Sequence, residues 1–161
     1  MGCKSPEPRH PITKKTSSFI DKSVERNKAL NKQEYEKIEN FIKEQKEDYL
    51  TSENGFWYAY NVKKEAFQET AKFGDTMRYI YNVKKLNGTL IYSKEDLDKQ
   101  TYVMDKEELF TGLRQGLKIM KPGETVTFIF PSQKAYGYYG DSNKITYNTP
   151  IICEVTLNSI N

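Results

Sequence analysis

Turn signals centred on glycine, at Asn54-Gly55, Gly74-Asp75, Asn87-Gly88 and Pro122-Gly123, punctuate the C-terminal two-thirds of the chain. The runs between them are rich in aromatic and β-branched residues, which is strand composition. Phe56 to Val62 and Thr76 to Tyr81 read as strands, and Thr89 to Tyr92 returns across the Asn87-Gly88 turn as a hairpin partner. Val126 to Phe130 and Ile151 to Leu157 are apolar enough to form the centre of a sheet. One helix interrupts the series. Asp105 and Glu108 predict its capped start, and Leu109, Leu113 and Leu117 recur at four-residue spacing, with Phe110 and Met120 beside them. Pro122-Gly123 predicts a type II turn at its end. The expected class is α+β, with one short helix lying across an open sheet.

Charge and composition narrow the function. Twenty-five Lys and Arg stand against 22 Asp and Glu, and the signs are interspersed, so no basic stripe points to nucleic acid. A single histidine, His10, lies near the N-terminus, so a folded Ser-His-Asp triad or a histidine metal cluster cannot be assembled. Cys3 and Cys153 sit at opposite ends of the chain without zinc spacing or a disulfide pattern. No metal and no cofactor are expected. The 12 Tyr and 8 Phe suit strands with one buried face and also a pocket lined by rings.

The chain opens Met1-Gly2-Cys3-Lys4-Ser5-Pro6 and holds no apolar run of membrane-spanning length. Gly2-Cys3 has three readings. It looks like the end of a bacterial lipobox, with Cys3 as the lipidated residue; it is a myristoylation start, although Pro6 stands where Ser or Thr is preferred; or Cys3 is an ordinary exposed cysteine. Residues 1–22, mixed in Pro, Ser, Thr and Lys, are expected to be a solvated tether. Residues 23–51 are expected to be an amphipathic helical leader, its helix running from Asn31 to Tyr49. Its stripe runs through Tyr35, Ile38, Phe41, Ile42, Gln45 and Tyr49, and Asn31 and Glu34 can cap it. That stripe suits docking on the chain's own domain or self-association with a second copy.

The residues from 52 to 161 resemble the FKBP-type peptidyl-prolyl cis-trans isomerases. The resemblance is carried by Gly74-Asp75-Thr76 through Tyr81, by Asn87 to Ile91, and by Leu113 to Glu124. It continues through Phe130-Pro131-Ser132, Ala135-Tyr136-Gly137 and Gly140, and ends on Ile145 with Asn148 to Ile151. With its Cys3 start and helical leader, the whole chain is similar to the isomerase lipoproteins associated with gliding motility machinery. The resemblance implies a half-open antiparallel β-sheet wrapped over one short α-helix, with a proline pocket between them. It assigns Tyr81, Tyr136 and Phe110 to catalysis, Phe110 at the place whose backbone N–H receives a substrate carbonyl. It assigns Ile91, Tyr92, Leu109, Leu113, Ile145 and Cys153 to substrate binding.

The implied activity is isomerisation of X-Pro bonds in proline-containing protein clients, with FK506 or rapamycin as candidate inhibitors. The implied location is the bacterial cell envelope, lipid-anchored through Cys3 on the periplasmic side. The chain departs from the family at three pocket positions: Tyr92 replaces an aspartate, Leu113 a tryptophan, and Cys153 an aromatic of the last strand. A less polar site with reduced turnover or altered substrate choice is the expected consequence. Two alternatives are a catalytically weak FKBP-fold binding module and a chaperone-like component of an envelope machine.

Overall fold

The computed structural model describes residues 16–65 and 68–161, so Cys3 and His10 lie outside the described residues. The chain divides into two compact units between Gln33 and Glu34. Helix α1 (Thr16–Glu44) begins in the first unit and ends in the second. Its residues from Ser18 to Leu30 are exposed, Phe19, Ile20, Val24 and Leu30 among them. The expected helix from Asn31 to Tyr49, behind a tether reaching residue 22, is corrected at both ends. Lys, Arg, Glu, Ala and Leu are strong helix formers that need no apolar face. The helix therefore extends back through residues whose pattern lacks periodicity. At the other end the Gln45 side chain donates to the Phe41 carbonyl at 3.3 Å, capping the last turn.

In the second unit the chain forms β1 (Leu50–Thr51), β2 (Trp57–Val62), β3 (Thr76–Tyr81), β4 (Val83–Lys85) and β5 (Leu90–Tyr92). The one-turn helix α2 (Lys94–Leu97), β6 (Gln100–Val103), α3 (Thr111–Lys118), β7 (Thr125–Phe130), a 3-10 turn (Ser132–Lys134) and β8 (Ile151–Ile160) follow. All strand pairs are antiparallel, in the order β1-β2-β7-β8-β3-β6, with β4 also on β8 and β5 on β4. The class is α+β, with an N-terminal helix and an open antiparallel sheet. β6 and α2 escape the sequence reading, although Ser93 and Asp96 form a capping box that starts α2. After a register shift between Arg78 and Tyr79, β3 and β4 run along β8 in one register, interrupted at Asn82. There the backbone N–H donates to the Glu154 carbonyl at 3.2 Å, while the side-chain oxygen accepts from the Glu154 N–H at 3.1 Å.

Alternation along the strands sends side chains to two faces. On one face Phe56, Phe128 and Phe130 pack with Met77, Tyr79, Val126, Val155 and Leu157 against Leu113, Leu117 and Met120. Helix α3 lies close on that face because Gly112 and Gly116 present no side chain. A Cβ at Gly116 would meet the Phe128 ring at 2.9 Å, and one at Gly112 the Phe130 ring at 2.5 Å. On the other face Trp57, Ile129 and Ile152 stand in one cross-strand row. Ile38 of α1 closes over that row, fully buried, and Tyr35 packs edge-on against Trp57 with ring centroids 5.2 Å apart. Each such apolar side chain contributes about 1.5–3 kcal/mol on full burial.

Helix α3 starts at Thr111, six residues after the expected cap at Asp105. Asp105 instead sits at φ +59 in a turn and pairs with Lys118 at 2.8 Å, while the Glu107 carboxylate accepts from the Val103 N–H at 2.8 Å. The charged run 105–108 is therefore spent on a turn before the helix begins. The type II turn at Pro122-Gly123 is present, with Gly123 at φ +84 and Glu124 N–H donating to the Lys121 carbonyl at 3.1 Å.

Candidate active site

The cleft is built on α3 and the strands facing it. Leu113 and Cys153 are fully buried, and Tyr81, Ile91 and Ile145 nearly so, within one apolar cluster. Tyr92, Leu109, Phe110 and Tyr136 are half-buried and pack against that cluster. All nine residues assigned by resemblance thus fall together, but in two tiers. The first five form the floor and its backing, and the last four reach the surface. A cleft of about 640 Å³ opens at Leu109, Phe110 and Tyr136, bordered by Glu107, Glu108 and Arg114.

Phe110 and Tyr136 meet with ring centroids 5.1 Å apart, and Phe110 packs edge-on against Phe130 at 5.5 Å. Phe110 is the N-cap residue of α3, in extended conformation, and among the described residues its backbone N–H has no partner. It stands at the end of a helix, where N–H groups point outward and the dipole is positive.

The Tyr81 and Tyr136 phenols are neighbours in the cleft, and burial raises the pKa of both. Burial pushes Tyr136 up to about 12, and it pushes Tyr81 up further, with Tyr136, Tyr79 and Cys153 adding to it. Held protonated, the Tyr136 phenol can donate to a bound acceptor. Burial also pushes the Cys153 thiol up, so it is a small apolar element of the floor and not a nucleophile.

The expected loss of a carboxylate at position 92 is made good from another segment. The Tyr92 hydroxyl donates to Asp141, whose other oxygen accepts from the N–H groups of Asn143 at 2.9 Å and Ile145 at 2.8 Å. Burial works to raise the Asp141 pKa, but these hydrogen bonds outweigh it and hold the carboxyl below its usual range. The rim is therefore more polar than the substitution at 92 alone implies. The Tyr92–Asp141 pair ties the β4-β5 hairpin to the loop that carries Tyr136 and Ile145.

Sequence reasoning missed Asp141, Arg114 and the border glutamates. The turn residues Asp141 to Asn143 were the available signal for Asp141, since an Asp followed by polar residues caps its own loop. Arg114 follows Leu113 on α3 and had no signal. Among the described residues its buried Nε has no hydrogen-bond partner.

Residues 68–158 match the family pattern described as FKBP-type peptidyl-prolyl cis-trans isomerase. The chain is 28% identical over 138 residues to the probable FKBP-type peptidyl-prolyl cis-trans isomerase FkpA of Neisseria meningitidis serogroup B, covering 84% of this chain and 50% of that protein. The chain thus spans half the length of that relative. The fold is similar to the crystal structure of FkpA from Escherichia coli, with a TM-score of 0.65 and 24% identity over 90% of this chain and 64% of that one. It is also similar to a peptidyl-prolyl cis-trans isomerase from Pseudomonas syringae pv. tomato, with a TM-score of 0.67 and 18% identity over 83% and 95%. The family pattern covers both the floor and the rim of the cleft, and the chain belongs to the FKBP-type peptidyl-prolyl cis-trans isomerase family.

Proposed function

We propose that the chain catalyses cis-trans isomerisation of X-Pro bonds in protein clients, with Tyr81, Tyr136 and Phe110 as the catalytic residues. Rotation about a peptide bond has a barrier of about 18–20 kcal/mol because resonance is lost at the twisted transition state. No covalent intermediate is needed. The twisted amide has less charge separation than the planar one, so an apolar, water-poor cleft favours the transition state over the ground state. Ile91, Leu113, Ile145 and Cys153 supply the apolar base under the prolyl ring, and Leu109 and Tyr92 flank it. Tyr136 donates its proton to a carbonyl of the bound chain, and the Phe110 N–H holds a second carbonyl. Both interactions orient the peptide and transfer no proton.

The observation that carries this reading is the Tyr136 ring set against Phe110, centroids 5.1 Å apart, over the apolar floor of Leu113, Ile145 and Cys153. An X-Pro tetrapeptide assay with and without rapamycin tests it. The reading predicts acceleration over the uncatalysed rate and its loss on saturation with rapamycin. Rapamycin binding without acceleration would instead favour a proline-holding module.

The residues ahead of α1 are proposed as a lipid tether through Cys3, placing the region from residue 52 at the periplasmic side of a bacterial envelope. An envelope machine such as that of gliding, or general folding, supplies the clients. The exposed apolar residues of the first unit support self-association of the leader. Among the described residues no helix is long and apolar enough to cross a membrane. Mass spectrometry of the N-terminal peptide from the native host tests the tether, which predicts a diacylglyceryl mass on Cys3; an unmodified cysteine removes it.

A further inference from the structure

We propose that Glu34, on helix α1, is a positioning residue for Tyr136, so that the C-terminal half of the leader helix is a working part of the cleft. This rests on the isomerase reading above. The Glu34 carboxylate accepts from the Ser132 backbone N–H at 2.5 Å and from the Ser132 hydroxyl at 2.7 Å. Ser132 is buried, so neither donor has water as a substitute. The Ser132 carbonyl in turn accepts from the N–H groups of Ala135 at 3.0 Å and Gly137 at 2.8 Å, the two residues that bracket Tyr136.

The turn is pressed from its other side by α3, where a Cβ on Gly112 would stand 2.8 Å from the Lys134 carbonyl. It is therefore held between a helix backbone and a carboxylate. Glu34 itself cannot drift. Ile38, one turn along and on the same side of the helix, is fully buried, and Gln133 Nε2 donates to the neighbouring Tyr35 hydroxyl at 3.3 Å. Charge-assisted hydrogen bonds are the stronger kind, and two of them from one carboxylate fix direction as well as distance.

The test compares the full chain with Glu34→Ala, Glu34→Gln and Ser132→Ala, well below each melting temperature. It measures X-Pro peptide isomerisation and amide hydrogen exchange at Gly137. Misplacing a catalytic group by an ångström costs up to about 100-fold; a loosened turn is expected to lower kcat/KM about tenfold in Glu34→Ala and to speed Gly137 exchange by a similar factor. Glutamine can accept from the Ser132 N–H through its amide oxygen and donate to the Ser132 hydroxyl through its nitrogen, so Glu34→Gln recovers most of both. A Glu34→Ala variant that melts lower yet keeps wild-type kcat/KM and exchange overturns the proposal, as does a Gln variant as impaired as Ala. If the wild type does not accelerate the peptide at all, the isomerase reading falls and Gly137 exchange alone decides whether Glu34 holds the turn.

Discussion

The floor and the rim of the cleft are held by different forces. Leu113, Ile145 and Cys153 in the floor lie in the main apolar cluster and owe their places to burial on strands and on one helix face. Tyr92 and Tyr136 in the rim are half exposed; a hydrogen bond to Asp141 holds Tyr92, and the Ser132 carbonyl, accepting from the Ala135 and Gly137 N–H groups, holds the turn that carries Tyr136. Burial is non-directional and tolerates small shifts, whereas a hydrogen bond fixes the angle of the group it holds. Stability should therefore reside in the floor and turnover in the rim.

The largest expected effect is on the floor. Leu113→Ala should cost about 2–5 kcal/mol of stability through lost burial and the cavity left behind. Because Leu113 also lies under the prolyl ring, kcat/KM should fall as well, through a raised KM with kcat little changed. Denaturant melts and peptide kinetics on one sample check both, and the reverse pattern would dissolve the distinction.

The next effect is on the rim. Tyr136→Phe should lower kcat/KM about tenfold, the equivalent of one hydrogen bond. Tyr81→Phe, which alters the neighbouring buried phenol, should act through Tyr136. The double variant should then be less impaired than the product of the two singles, as a double-mutant cycle would reveal. Independent effects would mean that the two phenols do not work as a pair.

How much of this was legible in the sequence follows the same division. The floor could be read because strand alternation and the four-residue spacing of Leu109, Leu113 and Leu117 are local patterns, and the family motif adds Tyr81 and Tyr136. The rim's supports could not. Glu34 reaches Ser132 across 98 residues of chain, and Tyr92 reaches Asp141 across 49, and no local pattern encodes such pairs. The start of α3 was misplaced because Asp105 and Glu108 imitate a capping box, while the residues between them are committed to a turn. The length of α1 was underestimated because its first half has charged helix formers without a buried stripe.

A smaller effect is expected where the rim faces water. Tyr92→Phe removes the hydroxyl from Asp141 at an exposed site, so stability should fall by about 1 kcal/mol or less. KM should rise about two- to threefold as the loop bearing Tyr136 loosens. Steady-state kinetics resolve this, and an unchanged KM would make the pair only a surface contact.

The smallest effect is on pH dependence. Tyr136 donates only while protonated, and burial pushes it up to about 12, so kcat/KM should be flat from about pH 6 to 10. Above about pH 10 the unfolded tyrosines lose protons while Tyr136 retains its own in the folded chain. The unfolded state then binds fewer protons, and the stability that Tyr136 contributes is lost as pH rises toward 12. A kinetic transition near neutrality would contradict Tyr136 as the titrating donor.

The most direct measurement is the refolding rate of a protein limited by a prolyl bond, followed against increasing concentrations of the full chain and of Tyr136→Phe. Uncatalysed isomerisation takes about 10–100 s at 25 °C, so acceleration is easily seen. The account predicts a rate that climbs with wild-type concentration and climbs about tenfold less steeply with the variant, both proteins having the same circular dichroism. A flat response to wild type, or equal slopes for the two proteins, would contradict the claim that Tyr136 over an apolar floor turns the prolyl bond.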